Sequence, residues 1–399
     1  MYKKFIFLFI SILKTCIIII FISGCDSDDP ISPTNQYRGR LVSVKFMESF
    51  SPVLISQALT EYDFDLAVVP KYQVDIYSIT YETVDAHNNY TIASGAFFMP
   101  KGALNSPILS VQHGATAKRN AVASVDALNS MESIAVCSEG WVVCVPDYLG
   151  LGVSTILHPY LHAKSSANCV IDLLRACKEF CKINFISLSG KYFLAGYSEG
   201  GYVTFVAQKE IEQKYGLEIP LVAVAPMAGP YDLVTSSKDY FSQITYDYPA
   251  YLCFTVLSYN YIYYYNNLDR IFNIPYNTTV PQLFDGSKDT DEISAILPHT
   301  ISSLFDTNFV KSFLNGSETE LLSALQSNTW LDWTPKTPLK LYHGNADVTV
   351  PYKNAITAFN RLKSNGATNI ELVTIEGGTH YTSVFPCLNA AYSWFKTLK

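Results

Sequence analysis

A serine held between glycines at a strand-to-helix junction is set up for nucleophilic attack, and Gly196-Tyr197-Ser198-Glu199-Gly200 has that form. The apolar run Tyr192 to Ala195 precedes it and Tyr202-Val203-Thr204-Phe205-Val206-Ala207 follows, so a strand ends and a helix begins at Ser198. The sharp turn this demands exposes the serine Oγ, and the small flanking residues spare the neighbouring backbone a collision. A hydroxyl attacks only after a base takes its proton, which requires an imidazole downstream. Seven histidines are available. His380, in Glu376-Gly377-Gly378-Thr379-His380-Tyr381, falls between the last expected strand and the last expected helix, on a loop that can carry the ring to Ser198. His343 is the rival, but it closes a strand as Tyr342-His343-Gly344 and reads as a packed or backbone-bonded residue.

An imidazole in this role needs a carboxylate to fix its tautomer. Asp347 lies just past the strand Leu339 to His343, within the stretch that runs on to Pro351, giving the chain order Ser, Asp, His. Asp232, beyond the strand ending at Met227, is the second choice, and Glu376 is too close in sequence to His380 to face it. The negative charge that develops on an attacked carbonyl oxygen needs backbone N–H donors. Glu199 supplies one. The other is expected from Gln112-His113-Gly114-Ala115-Thr116, where Gly114 permits close approach and Ala115 donates, while His113 reads as a structural loop residue. His87 and His299 read as surface residues. His158 and His162 stand four apart, but the glutamate of an H-E-x-x-H pair is missing and Pro159 suits a helix start, so capping or packing is expected and no metal. No Gly-rich phosphate loop follows a strand, so no cofactor is implied.

Short apolar runs alternate with amphipathic stretches, the pattern of a mainly parallel sheet covered by helices. Strands are expected at Tyr72 to Tyr81, Thr91 to Met99, Ile108 to Gln112, Trp141 to Pro146, Tyr192 to Gly196, Leu221 to Met227, Leu339 to His343 and Glu371 to Ile375. The first two form a hairpin through the polar turn Asp85 to Asn89. Helices are expected at Leu161 to Cys181, Gly200 to Tyr215, Tyr352 to Ser364 and Val384 to Thr397. The alternation stops between Tyr231 and Thr337, which reads as a helical insertion. Its run Tyr259 to Tyr265 is too aromatic to lie wholly in water, so most of these rings should pack the insertion and a few line a pocket.

With 399 residues, 49% of them apolar, the chain can bury a large core, and a charge of −7 without basic runs argues against nucleic acid. Residues 1–24 hold three Lys and no acid around long apolar runs, which reads as a secretory signal. Their removal takes the charge from −7 to −10. An uncleaved membrane anchor is the alternative reading of the same apolar length. Of nine Cys, Cys16 leaves with the signal. Cys169, Cys177 and Cys181 share a helix face as buried small residues, and with no Cys-x-x-Cys pair a structural zinc site is not expected.

Several of these motifs resemble known families. Phe21-Ile22-Ser23-Gly24-Cys25 looks like a bacterial lipobox, which implies lipidation of Cys25, a tether over 25–40, and a membrane-anchored lipoprotein at the outer membrane or cell surface of a Gram-negative bacterium. Asp26, Asp28 and Asp29 resemble the acidic export tag of surface lipoproteins. From about Tyr72 to Lys399 the chain resembles the α/β-hydrolase superfamily. Within it, Val145 to Gly152, Gly196 to Gly201 and His343 to Pro351 look like the secretory lipase family typified by fungal lipase A enzymes. The resemblance implies an eight-stranded, mainly parallel sheet flanked by helices, a core of 41–230 and 338–399, and a cap or lid over 231–337. It also implies Ser198 as nucleophile, Asp347 as orienting acid and His380 as base. Asp147 matches the family's Asp-Tyr motif, with a buried structural hydrogen bond as its expected role. Where the family often has Gln after the serine, this chain has Glu199, whose ionised side chain would repel an anionic substrate.

The expected reaction is hydrolysis of acyl esters, of a lipid or of a glycan, through an acyl-Ser198 intermediate. A serine peptidase on the same fold is one alternative. A lipoprotein that binds glycan or lipid through a retired hydrolase fold is another, and the presence of all three of Ser198, Asp347 and His380 counts against it.

Overall fold

The computed structural model describes residues 38–61 and 63–399, so the expected signal peptide, Cys25 and most of the tether lie outside the described residues. Among the described residues nine strands form one sheet: β1 Leu41–Phe50, β2 Val74–Val84, β3 Tyr90–Pro100, β4 Ser106–Gln112, β5 Val142–Pro146, β6 Leu188–Tyr197, β7 Leu221–Met227, β8 Leu339–Gly344 and β9 Ile370–Ile375. Their order is β1-β2-β3-β5-β4-β6-β7-β8-β9. From β5 to β9 all neighbours are parallel, while β1, β2, β3 and β5 pair antiparallel. The hairpin falls where expected, with Val84 paired to Tyr90 across the turn.

The sheet has one strand more than the eight expected. Residues of β1 are mostly exposed or half-buried along their whole length, so this edge strand carries no strong alternation and its sequence gives little sign of it. The inner strands differ because both faces are buried. In β6, Tyr192 and Leu194 join the core on one face, while Phe193 and Ala195 join the core on the other; in β5, Cys144 and Val143 divide in the same way.

Helices α1 Pro52–Glu61, α2 Met131–Cys137, α3 Ala163–Ile183 and α4 Glu199–Glu210 precede the insertion, and α4 continues as a π-helical turn over Ile211–Tyr215. Eight helices lie between β7 and β8: α5 Leu233–Phe241, α6 Pro249–Tyr263, α7 Leu268–Ile271, α8 Tyr276–Leu283, α9 Thr290–Ile296, α10 Ile301–Leu304, α11 Thr307–Asn315 and α12 Thr319–Ser327. Helices α13 Lys353–Ser364 and α14 Val384–Lys396 complete the fold. In the aromatic run Tyr259 is fully buried, Tyr263 stacks on Tyr265, and Tyr264 is exposed and stacks on His87. His87 is less of a surface residue than expected, because its Nε2 meets the Ile262 carbonyl at 2.8 Å and docks the β2–β3 turn on α6.

The insertion is fastened to the segment 158–163 by buried hydrogen bonds. Tyr259 and Tyr202 hydroxyls both donate to the Leu161 carbonyl at 3.0 Å, and Tyr202 also reaches the Asn328 carbonyl at 2.8 Å. Asn328 in turn accepts from the Ala163 amide at 2.8 Å and donates to the Tyr263 hydroxyl at 2.9 Å. A second buried network closes the other end of the sheet. Asp172 on α3 takes a bidentate pair from Arg38 at 3.0 Å, the Thr83 hydroxyl at 2.7 Å and Arg175 at 3.1 Å, which satisfies a carboxylate that would otherwise be costly to bury. Cys137, Cys144, Cys169, Cys177, Cys181, Cys253 and Cys387 are free thiols, and all are buried.

Candidate active site

Parallel pairing brings the carboxyl ends of β4, β6, β7 and β8 to one edge of the sheet, and the side chains singled out by sequence meet there. Gln112, at the end of β4, pairs with Gly196 of β6, which puts the loop His113 to Ala115 beside the turn after β6. Ser198 occupies that turn at φ 60° and ψ −123°, a region strongly disfavoured for a residue with a side chain. Its own amide donates to the Met227 carbonyl at 2.9 Å, and its carbonyl accepts from the Gly201 and Tyr202 amides, so both sides of the turn are held. A Cβ on Gly200 would run into the Gln112 carbonyl, which is why α4 can pack this close to β4 only with glycine there.

The Ser198 hydroxyl lies 3.0 Å from His380 Nε2, and His380 Nδ1 lies 2.7 Å from Asp347 Oδ2. Asp347 and His380 are buried. Asp347 Oδ1 accepts from the Thr349 and Val350 amides at 3.0 and 2.9 Å. Burial alone would push the Asp347 carboxyl up, but hydrogen bonds from His343 and His380 outweigh it and hold the group below the ordinary carboxylate value. With Oδ1 fixed by two amides, Oδ2 is left to orient the His380 ring so that Nε2 faces the serine.

His343 is indeed backbone-bonded, with Nε2 at 2.8 Å from the Val350 carbonyl, but the same nitrogen also lies 3.2 Å from Asp347 Oδ2. Asp232 stands elsewhere and caps α5, accepting from the Thr235 amide at 3.1 Å. Glu376 bonds Asn345 at 2.6 Å and ties the β8 and β9 loops together. Two contacts were missed by sequence reasoning. Tyr197 donates its hydroxyl to the His380 carbonyl at 2.6 Å and anchors the histidine loop to β6, and His343 adds a second donor to Asp347. The four-residue spacing of His343 and Asp347 across the end of a strand was the one available signal.

On the far side of the serine, an added Cβ on Gly114 would stand 3.7 Å from Ser198 Cβ, so the loop that carries Ala115 borders the nucleophile. The Glu199 amide begins α4 directly after Ser198. The Glu199 side chain turns inward instead, 1% exposed, with Oε1 at 2.8 Å from His158 Nε2. His113 bonds the Gly114 and Asp147 carbonyls and stacks on Tyr148, as a structural loop residue should. Asp147 is fully buried and accepts from the Ser94 hydroxyl at 2.6 Å and from Ser124. His162 caps α3 through Ser165, and burial pushes its imidazole down to about 4, so the ring is neutral. His158 and His162 therefore serve different partners.

Sheet order, crossover insertion and elbow define an α/β-hydrolase, and comparison with solved structures agrees. The esterase LipA of Xanthomonas oryzae, described as rice cell wall degrading, aligns at 29% identity and TM-score 0.84, over 91% of this chain and 100% of that one. A putative hydrolase of Legionella pneumophila aligns at 29% identity and TM-score 0.84, over 90% and 98%. Candida antarctica lipase A shares the fold at TM-score 0.67 and 17% identity, over 92% and 85%. Residues 119–397 match the model of the secretory lipase family, and the chain belongs to that family. No curated protein gave a match. Family and neighbours together support ester hydrolysis as the reaction class, a small-molecule ester as substrate, and export of the enzyme.

Proposed function

We propose that the protein is a serine ester hydrolase that works through an acyl-Ser198 intermediate. The observation that carries the proposal is the continuous run from Ser198 Oγ to His380 Nε2 at 3.0 Å and from His380 Nδ1 to Asp347 Oδ2 at 2.7 Å. His380 takes the hydroxyl proton as Oγ bonds to the ester carbonyl carbon, and Asp347 stabilises the imidazolium. The amides of Glu199 and Ala115 receive the carbonyl oxygen as it becomes an anion. Collapse of the tetrahedral species breaks the bond to the alcohol, which leaves with the proton from His380. Water, deprotonated by the same imidazole, then releases the acid and restores Ser198. The segment 231–337 serves as the cap that shapes the acyl site, and Cys25 carries the lipid that holds the exported enzyme at a membrane. The cell-wall description of the Xanthomonas relative favours an ester on a glycan over a storage lipid.

Hydrolysis of p-nitrophenyl acetate, butyrate and palmitate tests this directly. The wild-type chain should be active and be labelled by a fluorophosphonate, and Ser198→Ala should lose about 10⁶-fold in kcat with no change in its urea midpoint. A short-chain preference identifies a carboxylesterase and a long-chain preference a lipase. Folded protein that neither cleaves esters nor takes the label would be a binding lipoprotein, and cleavage of aminoacyl amides alone would make it a peptidase.

A further inference from the structure

The Glu199 carboxyl is an unusual neighbour for a site that must stabilise an anion. It is buried one residue from the nucleophile, and the amide of the same residue is a donor to the developing oxyanion in the reaction proposed above, on which this inference rests. Its Oε2 has no hydrogen-bond partner among the described residues. Its Oε1 meets a single group, His158 Nε2, at 2.8 Å. The other ring nitrogen of His158 lies 2.7 Å from the Leu149 carbonyl. A carbonyl oxygen only accepts, so Nδ1 carries a proton, and one further proton must lie between Nε2 and Oε1. Wherever that second proton sits, on the carboxyl or on the imidazole, the pair as a whole carries no net charge.

Among the described residues no other cationic group bonds the carboxyl. Tyr148 and Tyr160 flank the pair from the loop before α3, Tyr202 from α4 and Tyr251 from α6; burial pushes the first three phenols far up and that of Tyr251 up to about 12, so all are neutral. Tyr148 stacks on the His158 ring, and Phe254 of α6 meets it edge-on at 5.5 Å. Arg119 lines the same small cavity as His158, but its guanidinium reaches the Asp285 carbonyl instead. His113 serves the Gly114 and Asp147 carbonyls, and His380 is bonded to Ser198.

We propose that His158 is a positioning residue for catalysis: it holds the Glu199 carboxyl in a charge-balanced pair, so that the residue donating its amide to the oxyanion does not also present an anion beside it. An uncompensated carboxylate there would oppose the charge that the transition state develops, in a site shielded from water. The inference is separate from the packing role expected for His158 from sequence, because packing does not depend on whether residue 199 can ionise.

A double-mutant cycle on the full chain separates the two. His158→Ala should lower kcat on p-nitrophenyl butyrate by about tenfold near neutral pH, with a loss that deepens as pH rises and the unpaired carboxyl ionises. In the Glu199→Gln background the same His158→Ala change should cost about threefold or less and show no added pH dependence, the unequal losses marking a coupled pair. An equal loss in both backgrounds, with one pH profile, would overturn the proposal and leave His158 a packing residue. Should His158→Ala fail to fold, ¹⁵N resonances of the unsubstituted imidazole provide the second measurement. Nδ1 protonated with Nε2 in a hydrogen bond supports the pair, and a bare Nδ1 overturns it. Fluorophosphonate labelling of the wild-type chain keeps the outcomes apart: without labelling the catalytic reading itself fails, whereas labelling with an uncoupled cycle removes only the role of His158.

Discussion

At the scale of single residues, Asp347 shows how a carboxylate is kept ionised inside a protein. Two amides and two imidazole donors offset the cost of burial. Because its folded value is depressed, Asp347 contributes stability that is fully present above the unfolded carboxylate value of about 3.9 and is lost as pH falls through the lower folded value. Asp347→Asn should therefore flatten the dependence of the urea midpoint on pH in that acid range, while lowering kcat by about 10³- to 10⁴-fold at neutral pH. Asp232→Asn should leave kcat within about threefold and stability nearly unchanged, since the Asp232 side chain meets only the first turn of α5, where an asparagine side chain caps as well. Equal losses in the two variants would refute the assignment of the acid. Ser198, Asp347 and His380 were legible in the sequence because each lies at the end of a strong apolar run. The contacts of Tyr197, and the pairing of His158 with Glu199 across forty-one positions, were not, because nothing in a linear pattern marks which buried polar atoms meet.

At the scale of elements, the inner strands announced themselves by being apolar on both faces, and their boundaries fell within a few residues of expectation. Three elements did not. β1 is an edge strand largely in contact with solvent, α1 buries only Ile55, and α2 is two turns long and buried almost throughout, so none offers a long, clear period. The tightest fit between elements is the crossing of α4 over β4, where the Gly200 position has no room for a methyl group. Gly200→Ala should lower stability by about 1–3 kcal/mol by displacing the elbow from the Gln112 carbonyl. The urea midpoint reads the first effect, and fluorophosphonate labelling, slowed at full folding, reads the displacement of Ser198. An unchanged midpoint and labelling rate would show that the crossing has slack.

At the scale of the whole molecule, the helical insertion between β7 and β8 is joined to the core through buried bonds from α6 and from Asn328, not through a surface hinge. Swinging α6 away would part the Tyr259 and Tyr263 hydroxyls from their partners, at about 1–3 kcal/mol for each group left unsatisfied, while Tyr202 of α4 kept its bond to the Leu161 carbonyl. The rate on a sparingly soluble ester should accordingly follow one smooth saturation through its solubility limit. A sharp rise where droplets form would show that α6 does move aside. The seven buried thiols carry a different consequence. An exported chain that uses none of them for cross-links owes its strength to noncovalent contacts, so neither reductant nor oxidant should shift its melting point. Each thiol becomes reachable only when the layer above it lifts, and the rate at which a small alkylating reagent consumes them, one by one, is a clock for how often and how deeply the enzyme breathes.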